Sequence, residues 1–268
     1  MVVTLTDLHR LATAIRLRAV RMVAPQGFGY LGQALSAAEQ YAAVYGAALR
    51  PGTDRVVCSP AHYVVAAYAA AAETGLLDEA VLTSYGHNGS ALEAIGTERS
   101  PVPDYTCGSL GQGLSAAAGF TLADRLLGRA DVRTFAFLSD GEMQEGQVWE
   151  AAMFAGHYRL DRLTVLLDAN NSHVDGPVDT ITTIEPIAAK WQAFGWDTAD
   201  LDGHDVDAVA AALAAGSSRP RILICRTSTR HGLACLPPDA DGHFIKLPPD
   251  LAAAATAELS AELARHGG

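Results

Sequence analysis

Apolar and polar positions follow two different periods along this chain. In residues 7–23, Leu8, Leu11 and Ile15 recur at the spacing of one helix face, with arginines between them, which predicts an amphipathic helix. Residues 134–138 instead form a short, nearly continuous apolar run, which is typical of a strand buried on both faces of a parallel sheet. The two patterns alternate along most of the sequence.

This alternation predicts a series of helices and strands. Helices are predicted at residues 7–23, 35–49, 62–75, 112–128, 146–157, 186–194, 205–215 and 250–264. Strands are predicted at 55–58, 134–138, 163–167 and 221–225, with no type assigned to segment 196–201. Because strands that alternate with helices form parallel sheets covered by helices, the expected fold class is α/β, a doubly wound parallel sheet with helices on both faces. The proline-containing loop 237–249 is expected to be the most mobile segment.

Length and composition favour one domain. The 268 residues, 49% of them hydrophobic, suffice for one large core, so we expect residues 1–268 to form a single domain. The net charge of −11 argues against a nucleic-acid surface. The cysteines have no paired metal-ligand spacing, and neither a signal peptide nor a membrane-spanning run is recognisable. A cytoplasmic location without a membrane partner is therefore expected.

Two polar residues follow predicted strands and give the first indication of chemistry. Asp140 comes shortly after strand 134–138, and Asn170 shortly after strand 163–167. The carboxyl ends of neighbouring parallel strands meet at one crevice, so both side chains can reach the same ion there. Carboxylate and amide oxygens are ligands that suit Mg²⁺. The alternative is an ordinary strand, turn and helix cap, since Asp-Gly and Asn are frequent in turns.

Several segments resemble motifs of the transketolase family. Ser-Asp-Gly-Glu-Met-Gln-Glu-Gly-Gln-Val-Trp-Glu-Ala-Ala at 139–152, followed by Asp-Ala-Asn-Asn at 168–171, resembles the thiamine diphosphate motif of that family. Residues 108–115 resemble its glycine-rich cofactor loop, 29–36 its N-terminal loop and 59–62 its first histidine segment. The resemblance covers nearly the whole chain. It implies the thiamine diphosphate-binding fold of the diphosphate-binding, or PP-type, domain.

The resemblance also implies thiamine diphosphate and Mg²⁺ as cofactors. It assigns Asp140 and Asn170 as magnesium ligands through side-chain oxygens, and Ser172 as a ligand through its backbone carbonyl. Gly141 is expected to present its backbone N–H to the diphosphate near a helix start, because no side chain obstructs the approach. Glu142, in the same motif, is assigned to the cofactor site as well.

Further cofactor contacts are implied by the other motifs. In the family, the first glycine of the glycine-rich loop offers its backbone carbonyl to the aminopyrimidine, and Gly108 takes that position here. Leu110 is expected to pack against the same ring. His231, next to Arg230, lies where family members carry a lysine-containing stretch, and it is expected to bind beside the phosphates.

Four residues are expected to take part in catalysis. His62 aligns with an active-site histidine of transketolases, and His243 with a late histidine near the diphosphate and the donor. The resemblance assigns Glu145 and Glu150 to the interface with the partner's catalytic glutamate. The alternatives are plain hydrogen-bonding roles for the histidines and solvated helix positions for the two acids.

Two positions depart from the family pattern. Tyr30 and Ile95 stand where transketolases carry donor-contacting histidines, and Ile95 offers neither a hydrogen bond nor a proton. His87 is a candidate substitute, although its spacing to Gly108 is too long for a direct match. The departures concern the donor side of the site, and they favour a divergent ketose or a 2-oxo donor.

Taken as a whole, the resemblance implies the N-terminal subunit of a split transketolase. Such an enzyme transfers a two-carbon ketol unit from a ketose or ketose phosphate to an acceptor. It is expected to be active only with a C-terminal, pyrimidine-binding partner chain, because the catalytic glutamate lies there, and a symmetric α2β2 assembly is the expected arrangement. Two alternatives stay open: a subunit of a 2-oxo acid (pyruvate-type) decarboxylating transferase, and a scaffolding subunit without catalysis.

Overall fold

A six-stranded parallel sheet forms the centre of the computed structural model, which describes residues 5–266. The strands are β1 (Phe28–Gly29), β2 (Arg55–Pro60), β3 (Tyr105–Cys107), β4 (Thr134–Ser139), β5 (Leu163–Ala169), β6 (Asp197–Asp202), β7 (Arg221–Arg226) and β8 (Ile245–Lys246). The sheet has the strand order β3-β2-β4-β5-β7-β6, and all its neighbouring strands are parallel. Strands β1 and β8 form a separate antiparallel pair.

Helices cover both sides of this sheet. They are α1 (Leu5–Val23), α2 (Leu31–Ala43), α3 (Val64–Glu73), α4 (Gly113–Leu126), α5 (Gly146–His157), α6 (Val178–Ile181), α7 (Ile187–Ala193), α8 (Val206–Ala214) and α9 (Pro249–Arg265). Helices α1, α2, α3, α8 and α9 lie on one side, and α4, α5 and α7 on the other. The predicted fold class is confirmed. Among residues 5–266, no helix is both long and apolar enough to cross a membrane.

Burial on both faces explains the continuous apolar runs of the strands. In β4, Phe135 and Phe137 belong to the core shared with α1, α2 and α3, whereas Ala136 and Leu138 belong to the core shared with α4 and α5. Successive side chains of a strand point to opposite faces, so an apolar strand contributes to two cores at once. The first charged residue after this run, Asp140, therefore lies at the end of the strand.

Helix α2 begins at Leu31, earlier than the predicted start at residue 35, and its regular part ends at Ala43. The predicted helix continues to 49, but Val44–Ala48 form a wider, π-helical turn. A distant loop packs directly on the first turn: an added Cβ on Gly32 would lie 1.9 Å from the carbonyl oxygen of Gly242. This contact between distant parts of the sequence leaves no trace in the local apolar pattern, which is why the predicted start is wrong.

The shortest strands are not among the predicted elements, because two or three residues are too few to reveal a period. Segment 196–201 overlaps β6, an edge strand whose residues are half-buried or exposed and therefore form no apolar run. The predicted mobile loop 237–249 contains β8, in which Ile245 is buried and pairs with Gly29. The end of that loop is thus anchored, and the mobility of its earlier part stays a prediction.

The strand order places a crevice between β2 and β4. From β2 the chain proceeds to β3 at one edge, whereas from β4 it proceeds to β5 in the opposite direction. At such a switch point the connections of two adjacent strands diverge and leave an opening at their carboxyl ends. The segments that follow β2, β4 and β5 all meet at this opening, and they carry most of the predicted site residues.

Candidate functional site

The crevice contains a cavity of about 220 Å³. Six of the predicted site residues line it: His62, Gly108, Leu110, Gly141, Ser172 and His243. Tyr30 and Ile95, the two departures from the family pattern, line it as well. Folding therefore brings together segments that lie far apart in the sequence, including both positions that were expected to bear on the donor.

Asp140 lies directly after β4 and is almost completely buried. Its Oδ1 accepts a hydrogen bond from the backbone N–H of Gly141 at 2.8 Å, and its Oδ2 accepts one from that of Asn171 at 2.5 Å. Asn171 has a φ of 54°, in the left-handed region, so the chain turns sharply after Asn170. The Asp140 carboxylate is thereby held against the turn that carries Asn170 and Ser172.

The side-chain amide of Asn170 has a defined orientation. Its Nδ2 donates to Oδ2 of Asp168 at 2.7 Å and to the hydroxyl of Tyr63 at 3.1 Å. Its Oδ1 accepts from the backbone N–H of Ser172 at 2.9 Å. The oxygen atoms of Asp140, Asn170 and Ser172 thus belong to one turn and the carboxylate bound to it. Carboxylate, amide and carbonyl oxygens form a donor set that suits Mg²⁺.

The surroundings of Gly141 are tight. An added Cβ at this position would lie 2.9 Å from Cδ2 of His173, so only glycine fits without a shift of that ring. Its backbone N–H, which was predicted to meet the diphosphate, donates to Asp140 in this structure. A contact between this N–H and a phosphate oxygen stays a prediction, and it would have to share or replace that hydrogen bond.

Three buried acidic groups at the crevice form no ion pair with Lys or Arg among the described residues. Burial, together with the charge of Asp168, raises the pKa of Asp140 to about 7. Burial also raises the pKa of Glu142 to about 7 and the pKa of Asp168 above its ordinary value. Arg226 lines a neighbouring pocket together with Asp140, but its guanidinium pairs with Glu185 and Asp200. A divalent cation bound to these oxygens would supply the missing positive charge, so the residues present fit a magnesium ion.

Glu142 joins three segments of the crevice. Its Oε1 accepts from the hydroxyl of Ser59, in β2, and from the backbone N–H of Gly111 at 2.8 Å. Its own backbone N–H donates to Oγ of Ser139 at 3.3 Å. Its Oε2 is buried and has no hydrogen-bond partner within the described part of the chain. Glu142 therefore holds the glycine-rich loop against the Asp140 segment and does not itself line the cavity.

The glycine-rich loop brings Gly108 and Leu110 to the wall of the cavity. Gly111, with a φ of 86°, turns the loop where an added Cβ would lie 2.8 Å from Cβ of Glu145. Gly108 is exposed, and an added Cβ there would lie 3.7 Å from Cγ2 of Ile95. Gly108 is therefore an exposed position beside an apolar side chain, and the contact of its carbonyl with the aminopyrimidine stays a prediction.

Aromatic rings form another wall of the cavity. The ring centroid of His62 lies 5.1 Å from that of Tyr30 and 5.0 Å from that of His243, and the ring of Phe244 lies 5.2 Å from Tyr30. Burial, assisted by the neighbouring His243, lowers the pKa of His62 to about 3. Burial also lowers the pKa of His243, whose Nδ1 lies 3.2 Å from Nε2 of Gln33. Both imidazoles are therefore neutral at pH 7, which suits them to exchange hydrogen bonds with substrate hydroxyl groups.

Six predicted site residues are not part of the cavity lining: Asp140, Glu142 and Asn170, which are described above, and Glu145, Glu150 and His231. His87 does not line the cavity either. Glu145 directly precedes α5 without a side-chain capping hydrogen bond, Glu150 lies in that helix, and both are exposed. The ring of His231 stacks on that of His204 at 3.6 Å. His87 is exposed in the loop before β3. The predicted roles of Glu145, Glu150 and His231 require a partner or a bound cofactor and stay predictions.

His231 belongs to a cluster with Glu39 and His204 whose ligand atoms are close enough together to hold a metal ion. The hydrogen bonds of this cluster favour a different role. Nη2 of Arg16 donates to both carboxylate oxygens of Glu39, at 2.6 and 2.5 Å. Nε2 of His204 accepts from the backbone N–H of Ser228, so its Nδ1 carries the proton and faces Glu39 at 3.3 Å. With a buried guanidinium in place, the cluster is an ion-pair network that joins α1, α2 and the loop after β7.

Sequence reasoning gave no role to four residues that shape the site, namely Ser36, Ser59, Tyr63 and Asp168. A signal was present, because three of them lie inside segments that resemble family motifs and Tyr63 directly follows one. Their connections arise only on folding: the hydroxyls of Ser36 and Tyr63 donate to Oδ2 of Asp168 at 2.5 and 2.8 Å.

Known proteins similar to this chain share its sequence over most of its length. The family profile described as "Transketolase, thiamine diphosphate binding domain" matches residues 8–257. The chain is 39% identical over 253 residues to the transketolase family protein y4mO of Sinorhizobium fredii. This alignment covers 89% of this chain and 90% of that protein. The chain is also 35% identical over 268 residues to the 6-deoxy-6-sulfo-D-fructose transketolase subunit SqwG of a Clostridium species. That alignment covers 96% of this chain and 97% of SqwG.

A solved structure shares the fold. The crystal structure of transketolase from Campylobacter jejuni has a TM-score of 0.85 to this chain at 23% sequence identity. The similarity covers 98% of this chain and 46% of the Campylobacter chain. The chain thus spans nearly the full length of the two relatives above and less than half of that transketolase.

Proposed function

The chain belongs to the transketolase family, in which it corresponds to the thiamine diphosphate-binding domain, and from this premise we propose that it is the N-terminal subunit of a transketolase-like enzyme. The enzyme would use thiamine diphosphate, held through Mg²⁺, to transfer a two-carbon ketol unit from a ketose or ketose phosphate to an acceptor. The name of the relative SqwG, a sulfofructose transketolase subunit, supports both the reaction class and a division into subunits.

One observation carries this proposal. Oxygen donors from Asp140, Asn170 and Ser172 belong to one turn and the carboxylate bound to it, beside buried acids that have raised pKa values and no Lys or Arg ion-pair partner among the described residues. Oxygen donors of this kind are suited to bind a divalent cation such as Mg²⁺. A magnesium ion bound there would in turn hold the diphosphate next to Gly141.

The remaining roles follow from what lines the cavity. When bound, thiamine diphosphate supplies an electron sink for cleavage of a carbon–carbon bond beside a carbonyl. The carbonyl of Gly108 would accept a hydrogen bond from the aminopyrimidine, and Leu110 would pack against that ring. His62 and His243 would hydrogen-bond to hydroxyl groups of the donor. The protein thus contributes position and hydrogen bonds.

A surface next to the site is suited to a partner. Glu145 and Glu150 are exposed, and α4 and α5 also present large apolar side chains, with Leu126 77% and Met153 55% exposed. Exposed apolar groups beside polar ones are typical of protein–protein interfaces. We propose that a separate pyrimidine-binding chain docks here and supplies the catalytic glutamate, in an α2β2 assembly in the cytoplasm.

Ile95 favours a second donor class. It lines the cavity beside Gly108, where the family pattern has a histidine, and it makes no hydrogen bond to a hydroxyl group. A 2-oxo acid such as pyruvate needs fewer hydroxyl contacts than a ketose, so a decarboxylating acyl or aldehyde transferase is the alternative function. A scaffolding role is opposed by the presence of Asp140, Asn170 and Glu145.

Replacing the Asp140 carboxylate tests the cofactor assignment. In Asp140→Ala, the affinity for thiamine diphosphate measured by calorimetry in saturating Mg²⁺ should fall at least about 100-fold, because the principal charged ligand is lost. The wild-type affinity should fall similarly when Mg²⁺ is removed with a chelator.

The matched control is Asp207→Ala, which removes an exposed carboxylate on α8. Helix α8 lies on the side of the sheet opposite to α4 and α5. Its affinity should equal that of the wild type. Undiminished, Mg²⁺-dependent binding by Asp140→Ala would contradict the proposed site.

A further inference from the structure

We propose that Asp168 is a positioning residue, which holds the side-chain amide of Asn170 with its nitrogen toward the protein interior and its oxygen toward the metal. This inference rests on the proposed function, because it concerns how the magnesium ligand Asn170 is presented. It assigns a role to a residue that lies next to the predicted ligands and is not one of them.

The hydrogen bonds of Asp168 exclude it as a metal ligand. The residue is 1% exposed. Its two carboxylate oxygens accept from five side chains that come from different parts of the fold: Ser36, Gln40, Tyr63, Asn170 and Thr227. A carboxylate has about four lone-pair directions, so those of Asp168 are fully used inside the protein.

The contact with Asn170 determines which end of the amide faces outward. Nδ2 of Asn170 donates to Oδ2 of Asp168 at 2.7 Å, and its Oδ1 lies on the opposite branch of the side chain, 2.9 Å from the backbone N–H of Ser172. An amide rotated by half a turn would bring its oxygen against the Asp168 carboxylate, and two acceptors would face each other. It would also present an N–H₂ group, which cannot bind a cation, to the metal.

Neighbouring hydroxyls stabilise the Asn170 amide but do not determine which of its ends faces the interior. The hydroxyls of Tyr63 and Ser36 lie 3.1 and 3.3 Å from Nδ2 of Asn170, and each also donates to Asp168. A hydroxyl can both donate and accept, so it would tolerate either orientation of the amide. Two groups without this freedom decide the orientation: the donor-only backbone N–H of Ser172 and the acceptor-only carboxylate of Asp168. Asp168 is the one of the two that acts through its side chain.

This arrangement predicts an unusual response to Asn170→Asp. In an ordinary oxygen site, a carboxylate binds Mg²⁺ more strongly than an amide does. Here the new carboxylate would place one oxygen against the Asp168 carboxylate, at the position that Nδ2 occupies. We expect the Mg²⁺ affinity of the chain with thiamine diphosphate to fall about 10- to 100-fold, the range typical of disturbed outer-shell partners.

A charge exchange provides the rescue. In Asp168→Asn/Asn170→Asp, the amide of residue 168 can donate to the carboxylate of residue 170, and the hydroxyls of Ser36 and Tyr63 can turn to donate to it as well. The Oδ1 position of residue 168 can still accept from Thr227 and Gln40. Because both substitutions keep the side-chain shape, the double variant should fold and recover most of the wild-type Mg²⁺ affinity.

The experiment is a calorimetric titration of Mg²⁺ into the chain with thiamine diphosphate, for the wild type, both single variants and the double variant. Asp124→Asn, which alters a buried carboxylate on α4, is the control and should bind like the wild type. Weakened binding by Asn170→Asp with recovery in the double variant supports the inference. Undiminished binding by Asn170→Asp, or a double variant no better than Asn170→Asp, overturns it. A wild type that binds no Mg²⁺ overturns the proposed function as well.

Discussion

Burial determines the charge of individual side chains in the crevice, and His62 is the clearest example. Its imidazole lies among the rings of Tyr30 and His243, and burial is the main reason that its pKa is lowered to about 3. The charged form is disfavoured because it would lose its hydration there. His62 is therefore expected to stay neutral over the whole physiological pH range.

A proton titration of the histidine ring carbons by NMR checks this expectation. The His62 resonance, assigned by its loss in His62→Gln, should titrate below pH 5. The unfolded chain binds a proton at His62 near pH 6.5 and the folded chain only near 3, so this residue lowers stability as the pH falls through that window. A His62 midpoint at pH 6 or above would contradict the assignment.

The predicted helices and strands agree with the structure where their apolar pattern is long. Helix α5 coincides with its predicted range, and the ends of α4 and α8 differ by only a residue or two. The early start of α2 and the short strands β1, β3 and β8 depend on contacts with distant segments, which a local period does not record. Close packing between elements is therefore the part of the fold that residue patterns describe least.

Two glycines inside helices separate close packing from helix propensity. A Cβ added to Gly156, on α5, would lie 1.8 Å from the carbonyl oxygen of Phe194. A Cβ added to Gly119, on α4, would have no neighbouring atom within 4 Å. Gly156→Ala should therefore lower the free energy of unfolding by about 2 kcal/mol or more, because backbone has to move. Gly119→Ala should raise it by about 0.5–1 kcal/mol through the helix propensity of alanine.

Urea denaturation of the two variants and the wild type measures both effects under one set of conditions. The two substitutions add the same methyl group to a helix, so their difference reports the surroundings. Equal stability of the two variants would mean that the contact between α5 and the turn at Phe194 yields at little cost.

At the scale of the whole molecule, this chain provides a cofactor crevice and an exposed surface but lacks, by the proposed function, the catalytic glutamate. We therefore expect the chain alone to bind thiamine diphosphate and Mg²⁺ without turnover. Adding the proposed pyrimidine-binding chain should give ketol transfer. Chromatography should then show an aldose two carbons shorter than the donor ketose and a ketose two carbons longer than the acceptor. Light scattering should give the mass of two copies of each chain.

The same mixture supplied with pyruvate distinguishes the donor classes. Release of CO₂ from pyruvate, without products from the ketose phosphate, would favour the 2-oxo acid alternative and give Ile95 the main part in donor choice. Full activity of this chain by itself would contradict the divided active site.

Residue patterns correctly predicted the fold class, and they named the candidate metal ligands. Both depend on local patterns: apolar runs of strand length alternate with helical periods, and Asp140 and Asn170 come shortly after two of those runs. The tertiary structure decided how the ligands are held. Asp168 accepts hydrogen bonds from Ser36 on α2, Tyr63 in the turn after β2 and Thr227 directly after β7. These residues are 132, 105 and 59 positions away from it in the sequence. Such hydrogen bonds exist only after distant segments pack together, and no period or motif spacing contains them.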